Sequence, residues 1–237
     1  MKYLIGIQPT GKLHIGNYLG CIAKGIELQK GHDVTFLLAN YHSLTTDSYS
    51  DVTEEELKRL GCKNVIKQTP EYCELFFKLC CKMNLGTLLK MPQYKDKKND
   101  VEYDLGILLY PVLMTADIIK NDPDVIIIGK DQVQHIELCN DICKRLGVNK
   151  KFYYEFGHVD KIMSLINPDI KMSKSLGEKH VLYLFEDDYY KKLKNANTTE
   201  QGIENLMKIG DYLGVIYYGQ NDRFKKELAE KMNHCFS

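Results

Sequence analysis

Residues 3–17 read Tyr3-Leu4-Ile5-Gly6-Ile7-Gln8-Pro9-Thr10-Gly11-Lys12-Leu13-His14-Ile15-Gly16-Asn17. An apolar run with strand propensity is cut by Pro9 and Gly11 and followed at once by residues that open a helix. A strand that turns through Pro and Gly into a helix is the first half of a parallel α/β unit. The rest of the chain repeats that alternation. Apolar runs at 34–39, 65–67 and 125–128 predict strands; patterns at 16–30, from 53, 71–83, 103–120 and 131–146 predict helices. This rhythm predicts an α/β fold with a parallel sheet and helices on both faces. In such sheets ligands sit at the carboxyl ends of strands, so the loops after Ile7, Ala39 and Ile128 are where chemistry is expected. From Glu186 onward the strands stop, and 187–195 and 200–213 read as charged amphipathic helices. The expected organisation is a catalytic domain over 1–175 and a short helical domain over 176–237.

With 32 basic and 32 acidic residues in 237, no global field points to DNA or to a membrane surface. No apolar run approaches the ~20 residues of a membrane span, and Gln8-Pro9 breaks the N-terminal run too early for a secretory signal. A cytoplasmic location is expected. The eight cysteines form no C-x-x-C pair, so reduced, partly buried thiols are expected rather than a metal site. His135, Cys139 and Cys143 share a helical face, and core packing is the expected fate of that trio.

Two loops have shapes that hold phosphate. In the first, Gly11 and Gly16 allow close backbone approach, free N–H groups at the helix start favour an anion, and His14 and Asn17 can donate to phosphate oxygens. A loop that only caps its helix is the plainer alternative. The string matches neither G-x-G-x-x-G nor G-x-x-x-x-G-K-[ST]. Far downstream, Lys171-Met172-Ser173-Lys174-Ser175 sets two ammonium groups and two hydroxyls between Asn167-Pro168-Asp169 and Leu176-Gly177. That segment is either a hinged arm closing over a ligand or an ordinary basic loop. Together the loops point to a nucleoside triphosphate gripped from two sides. On the helix at 105–120, Tyr110, Met114 and Asp117 share one face. An acid on an apolar face needs a partner or a ligand donor; a carboxylate exposed beside Lys120 is the alternative. Ile126-Ile127-Ile128-Gly129-Lys130-Asp131-Gln132 ends a buried strand in a glycine turn suited to ribose and amine contacts. His42 follows another strand's carboxyl end, where a packed, hydrogen-bonded histidine is the common outcome.

These strings carry a resemblance. Gly6–Gly11, His14–Tyr18, Leu113-Met114-Thr115-Ala116-Asp117-Ile118, Gly129–Leu138, Ile162-Met163-Ser164-Leu165 and Lys171–Ser175 resemble the class I aminoacyl-tRNA synthetases, specifically the tryptophanyl branch of bacterial type. The resemblance covers essentially the whole chain. Asn17 and the Asp131-Gln132-Val133-Gln134-His135-Ile136-Glu137-Leu138 run favour that branch over the tyrosyl one.

The resemblance implies a Rossmann-like catalytic domain and a two-step ligase using L-tryptophan, ATP with its own Mg2+, and tRNA(Trp), with no dedicated protein metal ligands. Gln8, Pro9, Thr10, Gly16 and Asn17 would line the ATP site. Gly129, Lys130 and Asp131 would hold the ribose, and Ile162 would pack near adenine. Lys171 and Lys174, flanked by Met172, Ser173 and Ser175, would grip phosphates beside His14, with Lys95 or Lys97 assisting. Asp117 would accept the indole N–H, and Leu4, Met114, Ile126 and Ile128 would form the apolar slot. Gln132, with His42 or Tyr110, would orient the amino acid. A homodimer through residues 71–95 is implied as well. Relative to the family pattern, the stretch 57–65 is shorter, the segment after Ser175 is compressed, and members continue past the equivalent of Ser237. Adenylate formation is expected to survive these departures. A tyrosyl-specific relative, and a tryptophan- and nucleotide-binding sensor that charges no tRNA, are the competing readings.

Overall fold

The computed structural model describes residues 1–45, 48–91 and 105–236. Among them a five-stranded sheet has the order β3-β2-β1-β4-β5, formed by β1 Lys2–Ile7, β2 Asp33–Leu38, β3 Val65–Lys67, β4 Val125–Ile128 and β5 Tyr153–Phe156. β1 is parallel to both neighbours, with Lys2 opposite Asp33 through Ile7 opposite Leu38, and Tyr3 and Leu4 opposite Val125 and Ile126. The chain winds outward from β1 to β3 and then crosses to β4. The order therefore reverses between β1 and β4, the kind of switch point at whose carboxyl ends α/β sheets bind their ligands. The expected α/β sheet is the observed one.

Packing groups the chain into two compact units, Met1–Gly11 with Gly25–Glu155, and Lys12–Lys24 with Phe156–Ser237. The sequence reading instead cut the chain once, after Ser175. In the first unit the sheet is covered by the helices Pro70–Cys80, Leu105–Asn121 and Val133–Arg145. Leu4, Leu37, Tyr72, Ile118, Ile126, Ile128, Ile136 and Cys139 form one buried cluster. Each such side chain removed from water contributes roughly 1.5–3 kcal/mol before ordering costs. Cys139 and Cys143 lie in that core, as expected, and His135 is buried on the same helix.

The second unit contains the helices Tyr189–Lys194, Glu200–Leu213 and Asn221–Phe236. Asp188 and Thr199 cap the first two, accepting from the N–H groups of Lys191 and Gly202. Gly214, at φ +75°, ends the second. Lys225 is buried, and its Nζ donates to the carbonyls of Ala196 at 2.7 Å and Lys194 at 3.3 Å. Those are carbonyls at and just beyond the end of Tyr189–Lys194, so a lysine satisfies acceptors the helix cannot.

Three differences from the sequence reading have physical causes. The helix expected from residue 16 is α over Ile15–Asn17, π over Tyr18–Ile22 and α again over Ala23–Leu28. A π turn is invisible to a 3.6-residue pattern. β5 has all four residues exposed and so lacks alternation. The helix Asn221–Phe236 is rich in charge, but Phe224, Leu228, Met232 and Phe236 recur every four residues on its buried face.

Candidate active site

In the first unit, the carboxyl ends of β1, β2, β3 and β4 bring together residues far apart in sequence. Asp117 lies on Leu105–Asn121 and is buried. His42, on the short helix after β2, donates from Nε2 to Asp117 Oδ2 at 2.9 Å. Gln68, directly after β3, donates from Nε2 to Asp117 Oδ1. A nitrogen facing a carboxylate carries the proton, which leaves His42 Nδ1 as the second ring nitrogen. That atom is buried and has no hydrogen-bond partner among the described residues. A buried polar atom without a partner costs free energy until something fills it. Gln8 Nε2 donates to the His42 carbonyl at 2.9 Å, tying the β1 loop to the β2 loop.

The Tyr110 ring stands edge-on to His42, with centroids 4.2 Å apart, and tilted to His135 at 5.8 Å. Burial, with the charges of Asp117 and Asp131, pushes the Tyr110 phenol up to about 12, so it stays an O–H. His135 is held down at about 4, chiefly by burial. It therefore stays neutral, with Nδ1 2.7 Å from Gln132 Oε1, and Gln132 Nε2 donates to Asp131 Oδ2 at 3.1 Å. A Cβ at Gly129 would lie 2.5 Å from Asp131 Oδ1, so any larger residue there would push the Asp131 carboxylate aside. Met114 packs half-buried against the cluster holding Leu4, Ile126 and Ile128. The four residues expected to line an apolar slot therefore pack together in one hydrophobic cluster, and Asp117 lies on the same helix as Met114.

In the second unit, residues 12–15 meet the C-terminal half of the chain. Ile15 N–H donates to the Leu182 carbonyl and Leu184 N–H to the Leu13 carbonyl, at 2.9 and 2.8 Å. His14 caps the helix that follows. Its Nδ1 accepts from the N–H groups of Gly16 at 3.1 Å and Asn17 at 3.3 Å, while Asn17 Oδ1 accepts from His14 N–H. Since Nδ1 accepts, Nε2 carries the proton and remains a donor. Burial first, then the positive charges of Lys174 and Lys171, hold the imidazole at about 3. A Cβ on Gly16 would touch the His14 ring at 3.0 Å and Ile162 at 3.6 Å.

The lysine segment is built as a small hairpin. Ser164 N–H donates to the Ile170 carbonyl at 2.8 Å and Met172 N–H to the Ile162 carbonyl at 3.0 Å. Asn205, buried, clamps Met163 from both sides, accepting from its N–H at 2.7 Å and donating to its carbonyl at 2.8 Å. Met172 and Ile162 are buried, which leaves Lys171 exposed and Ser173 and Lys174 half-exposed. Ser173 and Ser175 hydroxyls are 2.9 Å apart.

Pro9 is buried in the turn after β1, where its carbonyl accepts from Ser50 N–H at 2.9 Å, and Thr10 bridges to Ser50. Lys130 and Asp131 lie in the turn after β4. Lys95 and Lys97 fall outside the described residues. The sequence reading did not find Gln68 or Asn205. A glutamine after a strand and an asparagine inside a helix carry no periodic signal; only their position at a strand end or buried helical face marks them.

The family model for class I tRNA synthetases of tryptophan and tyrosine matches residues 1–69 and 63–235. A tryptophan–tRNA ligase of Helicobacter pylori is 33% identical, over 95% of this chain and 82% of the relative. Among solved structures, a tryptophanyl-tRNA synthetase from Mycoplasma pneumoniae superposes with TM-score 0.85 at 26% identity, covering 99% of this chain and 85% of that one. One from Campylobacter jejuni, solved with ADP and tryptophan, superposes with TM-score 0.74 at 26% identity, covering 100% and 86%.

Proposed function

The chain belongs to the class I tRNA synthetases of tryptophan and tyrosine, and within them we propose that it is the tryptophan–tRNA ligase, activating L-tryptophan with ATP. The observation that carries this reading is Asp117, a buried carboxylate with one donor on each oxygen, set beside the apolar patch of Leu4, Met114, Ile126 and Ile128. An indole fits that pairing of flat apolar surface and one N–H donor. The unfilled Nδ1 of His42 would meet the amino acid's polar end, and Gln132 Nε2, which gives one N–H to Asp131 Oδ2, would offer its second.

The reaction needs no protein nucleophile. The tryptophan carboxylate attacks the α-phosphorus of ATP, the bond to the bridging oxygen breaks, and pyrophosphate leaves with the electron pair. Gln8, Pro9, Thr10 and Gly129–Asp131 would line the nucleotide from the sheet. His14 Nε2–H and the Asn17 amide would donate to phosphate oxygens, and Lys171 and Lys174 would meet the charge that grows on the leaving pyrophosphate. Donors already aimed before reaction act without reorganising, and this is where such sites gain most of their rate. ATP brings Mg2+ as its counter-ion. The adenylate then passes its acyl group to the terminal adenosine of tRNA(Trp). Residues 71–95 would form the homodimer contact, where Phe77 and Leu85 stand exposed.

The complete reaction is tested by incubating the chain with ATP, labelled tryptophan and a tRNA(Trp) transcript. Base-labile label on the RNA is the expected result; none above a blank lacking enzyme would contradict the ligase reading.

A further inference from the structure

We propose that Gln68 is a positioning residue for Asp117, and that through it the pocket selects amino acids whose ring carries a hydrogen-bond donor. The inference rests on the reading of the Asp117 slot as the amino-acid pocket.

Gln68 is only 4% exposed and is fixed by the loop after β2. Its backbone N–H donates to Asn40 Oδ1 at 2.9 Å, and its side-chain Oε1 accepts from the Tyr41 N–H at 2.7 Å. With Oε1 committed to an N–H, the amide cannot turn over. Reversed, its NH2 would face the Tyr41 N–H and its oxygen would face the carboxylate. The donor end therefore points at Asp117 Oδ1, while His42 holds Oδ2.

Two donors from separate loops, one on each oxygen, stop the carboxylate from rotating about its last bond. Each oxygen still has a lone pair to offer, now in a fixed direction. A ring N–H brought into the slot meets an aligned acceptor. A ring of the same shape without the N–H leaves that buried acceptor short of a donor, and sites of this kind reject such analogues most strongly. Without the Gln68 amide, Asp117 keeps a single anchor and its free lone pairs no longer hold one direction. The preference for a ring donor should then fall while apolar contacts persist. A glutamine that only filled space would alter both classes of substrate alike.

The test is ATP–pyrophosphate exchange by wild type and Gln68→Met, each with L-tryptophan and with 3-(3-benzothienyl)-L-alanine, in which sulfur replaces the ring N–H. Wild type should favour tryptophan in kcat/KM, and Gln68→Met should shrink that preference by ~10-fold, with KM for ATP unchanged. Both substrates report on one preparation, so any loss of folded enzyme cancels from the ratio. Gln68→Asn, one methylene shorter, should also shrink it and serves if the methionine variant does not fold. A preference unchanged in the variants overturns the proposal, as does a wild type indifferent to the N–H. A wild type inert with both amino acids overturns the underlying reading of the slot, and this proposal with it.

Discussion

His14 uses one ring nitrogen to cap its own helix and leaves the other as a donor, and the burial that goes with this has a cost that pH reveals. An imidazole ordinarily titrates near 6.5, and here burial beside Lys174 and Lys171 holds it at about 3. Between those values the unfolded chain binds more protons than the folded one. Stability therefore rises with pH across that window, is lost as pH falls from about 6.5 toward about 3, and has no slope from this group above 6.5. Thermal unfolding should show a melting temperature that drops on acidification from pH 7 to 5, more steeply in wild type than in His14→Gln. Parallel drops in the two proteins would contradict the assignment. The same residue scale separates binding from chemistry. Lys174 is proposed to meet charge that exists only as pyrophosphate leaves. Lys174→Ala should slow adenylate formation by ~10²–10³-fold, about 3–4 kcal/mol, with tryptophan affinity nearly intact. Equal loss of binding and rate would remove Lys174 from that role.

At the scale of elements, the decisive feature is how tightly the loop after β1 is moulded around one histidine. Gly16 leaves room for the His14 ring, where a Cβ would press on Cε1 and Nδ1 at 3.0 Å. Gly16→Ala should displace the imidazole, weaken the cap at the helix start and lower the exchange rate, while tryptophan binding in the first unit stays unchanged. Fluorescence titration of tryptophan cannot be confused by the protein, since the chain contains none. A variant with full exchange rate would show that the ring tolerates the shift. The strands were legible because continuous apolar runs such as Ile126–Ile128 admit few other readings. The π turn at Tyr18–Ile22 and the exposed strand Tyr153–Phe156 were not, because neither carries its element's usual period. The helix Asn221–Phe236 had its signal at every fourth residue, masked by the charged residues between.

For the whole molecule, the stretches Lys12–Asn17 and Lys171–Ser175, 154 positions apart from Asn17 to Lys171, share one compact unit, while Pro9–Gly11 and the proposed amino-acid slot around Asp117 belong to the other. The loops were readable as motifs, and the slot only as a face bearing Asp117. The partners of Asp117 were hidden because Gln68 and His42 come from other strand ends, and only the sheet order brings strand ends together. What the molecule does with these parts is to join an amino acid to a nucleotide. The most direct measurement is amino-acid-dependent ATP–pyrophosphate exchange, run in parallel with tryptophan, with tyrosine and with no amino acid. Exchange with tryptophan alone is the predicted result. Exchange with tyrosine instead would reassign the substrate, and exchange with neither would contradict the claim that this chain activates an amino acid at all.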